Sequence, residues 1–182
     1  MILTPEQIAD LIAQARRDAP NETCGLIGGR EGRAERLYPL ANEAEHPQVE
    51  YRGAALQQLE AMRDMETQEQ ELLAIYHSHP ASPAFPSPTD VERAFYPDAV
   101  YIVISLMHPR AAQVRGFTIQ NAQVTEVTLE ITEEVQYGQA RTHPRRHQKG
   151  KGGPAAHRPV APLSQGRPGQ RPVRRAGRRV SK

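Results

Sequence analysis

The sequence holds one cysteine, Cys24, in 182 residues. A single thiol excludes an intrachain disulfide and fits a reducing compartment. No stretch approaches the roughly 18 consecutive apolar residues of a membrane-spanning helix, so no membrane association is expected. The opening residues, MILTPEQIADLIAQARRDA, lack the basic start and sustained apolar run of a signal peptide, and a cytoplasmic protein is expected. His-Glu-x-x-His and Cys-x-x-Cys, two familiar zinc signatures, are both missing. The glycines after Gly150 mimic a dinucleotide-binding loop, but they follow no strand pattern and open no helix.

Charge is absent by sign and by region. There is no lysine before Gly138 and no aspartate or glutamate after it. Thirteen of the 23 Lys and Arg lie from Gly138 onward, while all 21 acidic residues precede it. The first 137 residues therefore carry ten arginines against 21 acids, a formal balance of −11. An acidic domain over residues 1–137 is expected, long enough to bury a core without staples. Residues 138–182, rich in Pro, Gly and Arg, have almost nothing to bury and read as a disordered basic tail. Nucleic acid would be met only through that tail, since the acidic domain repels phosphates. No feature of the sequence sets an oligomeric state.

The apolar pattern supplies the elements. Thr4-Pro5-Glu6-Gln7 is a helix start with a capping box, and Ile8, Leu11, Ile12 and Ala15 continue at helical spacing toward Pro20. ETCGLIGGR and AERLYPLAN read as a hairpin about Glu31-Gly32. Residues 53–70 favour a helix, with Leu56, Leu59, Met62, Arg63 and Met65 about its apolar side. ELLAIYHSH and AVYIVISL read as strands, separated by a loop that Pro80, Pro83 and Pro86 stiffen and by a short helix from Ser87 to about Phe95. AAQVRGFTIQ and AQVTEVTLEIT form two further strands, a hairpin about Asn121. The class is α/β (α+β), a mixed central sheet flanked by helices.

The chemistry lies in YHSHPASPAFPSPTD, residues 76–90. Strand residues i and i+2 share a face, so His77 and His79 project together. Two imidazoles on one face begin a zinc site, and Asp90, returned by the stiff loop, supplies a third ligand. Three protein ligands leave a fourth position for water, the catalytic arrangement. Ser87, Pro88 and Asp90 also make an ordinary helix N-terminus, and on spacing alone the two readings stand together. Amide hydrolysis further needs a base. Glu22, at the entry to the glycine-rich strand, is a candidate among many exposed acids. Cys24 should face the core beside Leu26, and His46 and His108 sit in surface loops.

Glu22 before Cys-Gly-Leu-Ile-Gly-Gly, then His-Ser-His-Pro, then Ser-Pro-Thr-Asp, together resemble the JAMM (MPN-plus) zinc metallopeptidases, over about residues 1–135. The likeness is greatest to the small single-domain prokaryotic members, among them a peptidase that releases cysteine from a sulfur-carrier protein. The resemblance implies a cytidine-deaminase-like JAMM fold and one Zn2+ per chain, held by His77, His79 and Asp90. It implies Glu22 as general acid/base and Ser87 as the hydroxyl that stabilises the oxyanion. The implied substrate is a peptide or isopeptide bond after the C-terminal Gly-Gly of a ubiquitin-like or sulfur-carrier protein. A non-catalytic MPN-type binding scaffold is the alternative, against which the full set of five residues argues.

Overall fold

The computed structural model describes residues 1–133, Pro109 excepted. The basic tail read from the sequence lies outside the described residues. Eleven elements follow in order: β1 (Ile2–Leu3), α1 (Pro5–Asp18), β2 (Cys24–Arg30), β3 (Arg33–Leu40), α2 (Ala55–Thr67), β4 (Glu71–His79), α3 (Pro88–Glu92), β5 (Val100–Ser105), β6 (Gln113–Gln120), β7 (Gln123–Val127) and β8 (Glu130–Ile131). All eight strands join one mixed sheet in the order β7-β6-β5-β4-β2-β3-β1-β8. The β4–β5, β1–β3 and β1–β8 pairs are parallel, and the rest are antiparallel. The mixed α+β class holds.

Local chemistry explains the expected elements. Thr4 caps α1, its hydroxyl accepting from Gln7 N while Gln7 Oε1 accepts from Thr4 N. The β2–β3 hairpin turns on Glu31 and Gly32, both in the left-handed region at φ 51° and 72°. Two such residues match the twist of paired strands. The β6–β7 hairpin turns likewise on Asn121 and Ala122. On one face of the sheet α1 packs Leu11 and Ala15 against Ile27, Ala74, Ile102 and Ile104. On the other, α2 covers Leu26, Tyr38 and Ile75.

Two expectations need correction. α2 does not bury its leucines: Leu56 is 67 % exposed and Leu59 45 %, while Ala54, Ala61 and Met65 face the core. The reason is close approach. A side chain on Gly28 of β2 would meet the Met65 Cγ at 3.0 Å, so Met65 lies directly over that glycine while Leu56 and Leu59 stay at the rim. The final strand is also split. β7 ends at Val127 and pairs with β6, whereas β8 begins at Glu130 and pairs with β1 at the opposite edge. Only Thr128 and Leu129 join the two edges, so the sheet curls almost onto itself. β1, unread in the sequence because two residues carry no period, receives that last strand.

Candidate metal centre and active site

β4 ends at the centre of the sheet, between β2 and β5. Its last residues have no strand freedom left: His77 is paired with Cys24 and Val103, His79 with Ser105. Behind His77, the Tyr76 ring lies over Gly25, where a Cβ would come within 2.2 Å of it. The Tyr76 hydroxyl donates to buried Gln14 of α1 at 2.7 Å. That anchor holds the strand from the side opposite the histidines.

The proline-rich loop is pinned rather than loose. The Ser105 hydroxyl donates to Ser82 O at 2.6 Å, Arg115 donates to Ala84 O at 3.2 Å, and Ala84 packs with Val103 and Phe117. These contacts return the chain to α3 and deliver Asp90 beside the histidines. His77 Nε2 and His79 Nε2 stand 3.1 Å apart, and Asp90 Oδ2 lies 3.3 Å from the first and 3.4 Å from the second. All three residues are buried. Ligand bonds of ~2.0–2.1 Å in tetrahedral array place neighbouring donors about 3.3–3.4 Å apart, so this triangle has the size of one face of a zinc tetrahedron. Among the described residues it is the one His/Cys/Asp/Glu group of this kind.

The donor chemistry fits a cation as well. His79 Nδ1 stands 2.9 Å from Pro83 O, and as an N–H donor there it leaves the Nε2 lone pair facing the triangle. His77 is flattened against Tyr51, ring centroids 4.4 Å apart and 18° from parallel. Its Nδ1 is buried with no hydrogen-bond partner among the described residues. Burial lowers the His77 pKa despite Asp90, so its imidazole stays neutral. Burial also disfavours the His79 imidazolium, but Asp90, Pro83 O and Glu22 outweigh it and raise that pKa. Burial favours a protonated Asp90; the two imidazoles and Ser87 overcome it and hold the carboxylate well below its usual range.

One Asp90 oxygen takes part in both arrangements that the sequence set side by side, the helix cap and the triangle. Its Oδ2, the atom in the triangle, also accepts from Ser87 N at 2.6 Å, while the Ser87 Oγ accepts from Asp90 N at 3.2 Å. The capping box of α3 and the triangle therefore share one oxygen. The Ser87 hydroxyl proton is not used by the cap, and the side chain is half-buried at the rim.

Glu22 is 5 % exposed. Burial raises its pKa to about 7, with His79 pulling it down and the charges of Asp90 and Glu50 pushing it up. The exposed-acid alternative is thus removed: Glu22 is buried within electrostatic reach of the triangle. Its backbone is fixed on both sides, Glu22 N donating to Pro47 O at 2.6 Å and Asn42 Nδ2 donating to Glu22 O at 3.0 Å. Asn42 was missed in the sequence. It also donates to Glu50 O and accepts from Ala44 N and Arg52 N, closing the 42–52 loop that carries Tyr51 onto His77. An Asn ending a strand gives no sign of such work until the loop is folded.

Other sequence readings hold. Cys24 is 1 % exposed in the core beside Leu26, its pKa pushed up to about 12 by burial, which makes it an inert thiol. His46 and His108 are exposed. No helix among the described residues is long and apolar enough to cross a membrane.

The profile of the prokaryotic homologues of the JAB domain matches residues 4–148. The CysO-cysteine peptidase of Mycobacterium tuberculosis is 38% identical over 136 residues, 74% of this chain and 92% of the relative. A probable TtuB-protein conjugate cleaving protease of Thermus thermophilus is 44% identical over 82 residues, 45% of this chain and 55% of its own length. The solution structure of a Desulfitobacterium hafniense protein is 38% identical, covers 76% of this chain and 97% of that one, and superposes with a TM-score of 0.69.

Proposed function

This chain belongs to the prokaryotic homologues of the JAB domain and is a peptidase of the JAMM type; on that premise we propose that it is a zinc-dependent enzyme acting on conjugates of a ubiquitin-like or sulfur-carrier protein. The bond cut follows the carrier's C-terminal Gly-Gly. The observation that carries this reading is the triangle of His77 Nε2, His79 Nε2 and Asp90 Oδ2 with edges of 3.1–3.4 Å, set beside a buried Glu22. The similar proteins named for cleaving CysO-cysteine and TtuB-protein conjugates support the substrate class. The lone, buried cysteine supports a cytoplasmic setting.

His77, His79 and Asp90 would hold one zinc ion. Bound there, zinc supplies Lewis acidity to the scissile carbonyl and brings the pKa of water to about 7. Glu22 does the proton work. Its carboxylate takes a proton from the attacking water and hands it to the departing amine nitrogen, a role suited to a buried carboxyl whose proton affinity burial raises. Ser87, its oxygen occupied by the Asp90 amide, turns its O–H toward the oxyanion that forms as the carbonyl carbon becomes tetrahedral. Tyr51 shields His77 from water and keeps its ring plane fixed.

The test is direct. Gently purified protein should carry one zinc per chain and release the leaving group from a fusion made to a Gly-Gly-ended carrier, and chelation should stop it. Glu22→Gln should keep the zinc and lose about 10²–10⁴-fold in kcat. Absence of stoichiometric zinc, or full turnover by Glu22→Gln, would overturn the reading.

A further inference from the structure

One residue separates the two histidines of the triangle. In this chain it is Ser78, and strand alternation turns its side chain to the face opposite the histidines. It is 0 % exposed, so neither solvent nor substrate reaches it. Its Oγ accepts a hydrogen bond from Thr23 N at 2.8 Å, and its own N–H donates to Thr23 O at 3.0 Å. Thr23 is the residue directly after Glu22.

The geometry of the ladder makes this bond unusual. The last paired residues of β2 and β4 are Cys24 and His77, which sets Thr23 opposite Ser78. A hydrogen-bonded antiparallel pair exchanges both backbone bonds. Here Thr23 N gives its proton to the Ser78 hydroxyl, and the side chain stands in for the carbonyl. The ladder thus ends under side-chain control one residue from Glu22. Thr23 is held from a third direction too, its hydroxyl donating to Asp18 Oδ2 at 2.6 Å at the end of α1.

We infer that Ser78 is a positioning residue for Glu22: its hydroxyl ties the segment bearing the base to the strand bearing both imidazoles and so helps to set the spacing between base and ligands. The inference rests on the peptidase reading above. Glu22 keeps its anchors to Pro47 O and Asn42 when Ser78 is lost, so the effect should be partial. Ser78→Ala should lower kcat by about 10–30-fold, less than removal of the base itself, with KM within about twofold of the parent.

The experiment uses the full chain loaded with zinc, a Gly-Gly-ended carrier fusion as substrate, and cobalt as a spectroscopic replacement for zinc. Ser78→Ala should retain one metal per chain and the parent's cobalt absorption spectrum, which reports ligand geometry. Exchange of the Thr23 amide with solvent should quicken at least tenfold, with the Ile75 and Ala74 amides unchanged. Ser78→Thr, which keeps the hydroxyl, should restore kcat to within about threefold. Ser78→Cys, nearly isosteric with a weaker acceptor, should fall between and guards against a misfolded alanine variant. Unchanged kcat and Thr23 exchange in Ser78→Ala would overturn the inference. So would a cobalt spectrum that changes in step with kcat, because Ser78 would then act on the ligands. If the parent cleaves no carrier, the peptidase reading fails by itself, and the exchange and spectral measurements on metal-loaded protein still decide the tie.

Discussion

Two buried carboxyls, Asp90 and Glu22, sit in one site and are shifted in opposite directions. Asp90 is held far toward the anion by two imidazoles in contact and the Ser87 cap. Glu22 is pushed by burial up to about 7, with one histidine charge set against two acidic neighbours. On the function proposed above, the difference separates a ligand from a proton carrier. A carboxylate that must stay charged to hold a cation needs direct donors, whereas one that must both take and give a proton needs a pKa near the working pH. The two also differ in how they are held. Asp90 arrives within fourteen residues of His77 on a pinned loop, while Glu22 is brought from 55 residues away by sheet pairing and by side chains of Ser78 and Asn42.

The largest effect expected on that contrast comes from Asp90→Asn. The amide keeps an oxygen to accept from Ser87 N, so α3 stays capped, but it loses the negative charge on the ligand. Metal stoichiometry should collapse and turnover should fall below detection, with helical content unchanged by circular dichroism. Retained zinc would show that the carboxylate is a cap first and a ligand second. Next is Ser87→Ala. It should reduce kcat by about 10²-fold through the missing oxyanion donor, keep its zinc, and cost about 1 kcal/mol of stability through the lost cap. A stability loss without a kinetic one would make Ser87 a cap alone.

The smallest effect sharpens the Glu22 side, and it is read in metal-free protein. The folded chain binds the Glu22 proton more tightly than the unfolded chain, since burial moves the pKa from 4.5 to about 7. That proton's contribution to stability is complete below the unfolded value and is lost as pH rises through about 7. Glu22→Gln has no such proton to lose. Its unfolding free energy should therefore match the parent's near the unfolded pKa and exceed it above about pH 8, by roughly 1–2 kcal/mol once screening by nearby water is included. A constant offset across that range would place Glu22 in solvent.

Much of the site was legible because the residues of the triangle are local. A strand fixes His77 and His79 on one face, and three prolines limit where Asp90 can return. Cap and triangle proved compatible, because one oxygen, Asp90 Oδ2, serves in both. Glu22 could be singled out only through the composite motif, because no local period marks a buried acid. Asn42 and Ser78 gave no signal at all: their work is hydrogen bonding to residues 20 and 55 positions away. The leucines of α2 misled for a related reason. Their spacing fits a buried stripe, and only the folded sheet shows that Ala61 and Met65 are the residues packed against it.

Sequence by itself determined the helix starts, the hairpin turns and the side-by-side imidazoles, because capping, left-handed turns and strand alternation are decided within a few bonds. Tertiary structure alone decided that the sheet curls until β7 and β8 lie two residues apart at opposite edges, which face α2 buries, and that Glu22 is buried near the triangle. Those outcomes depend on distances between segments remote along the chain, and they are set by packing and by hydrogen bonds that exist only once the sheet has closed.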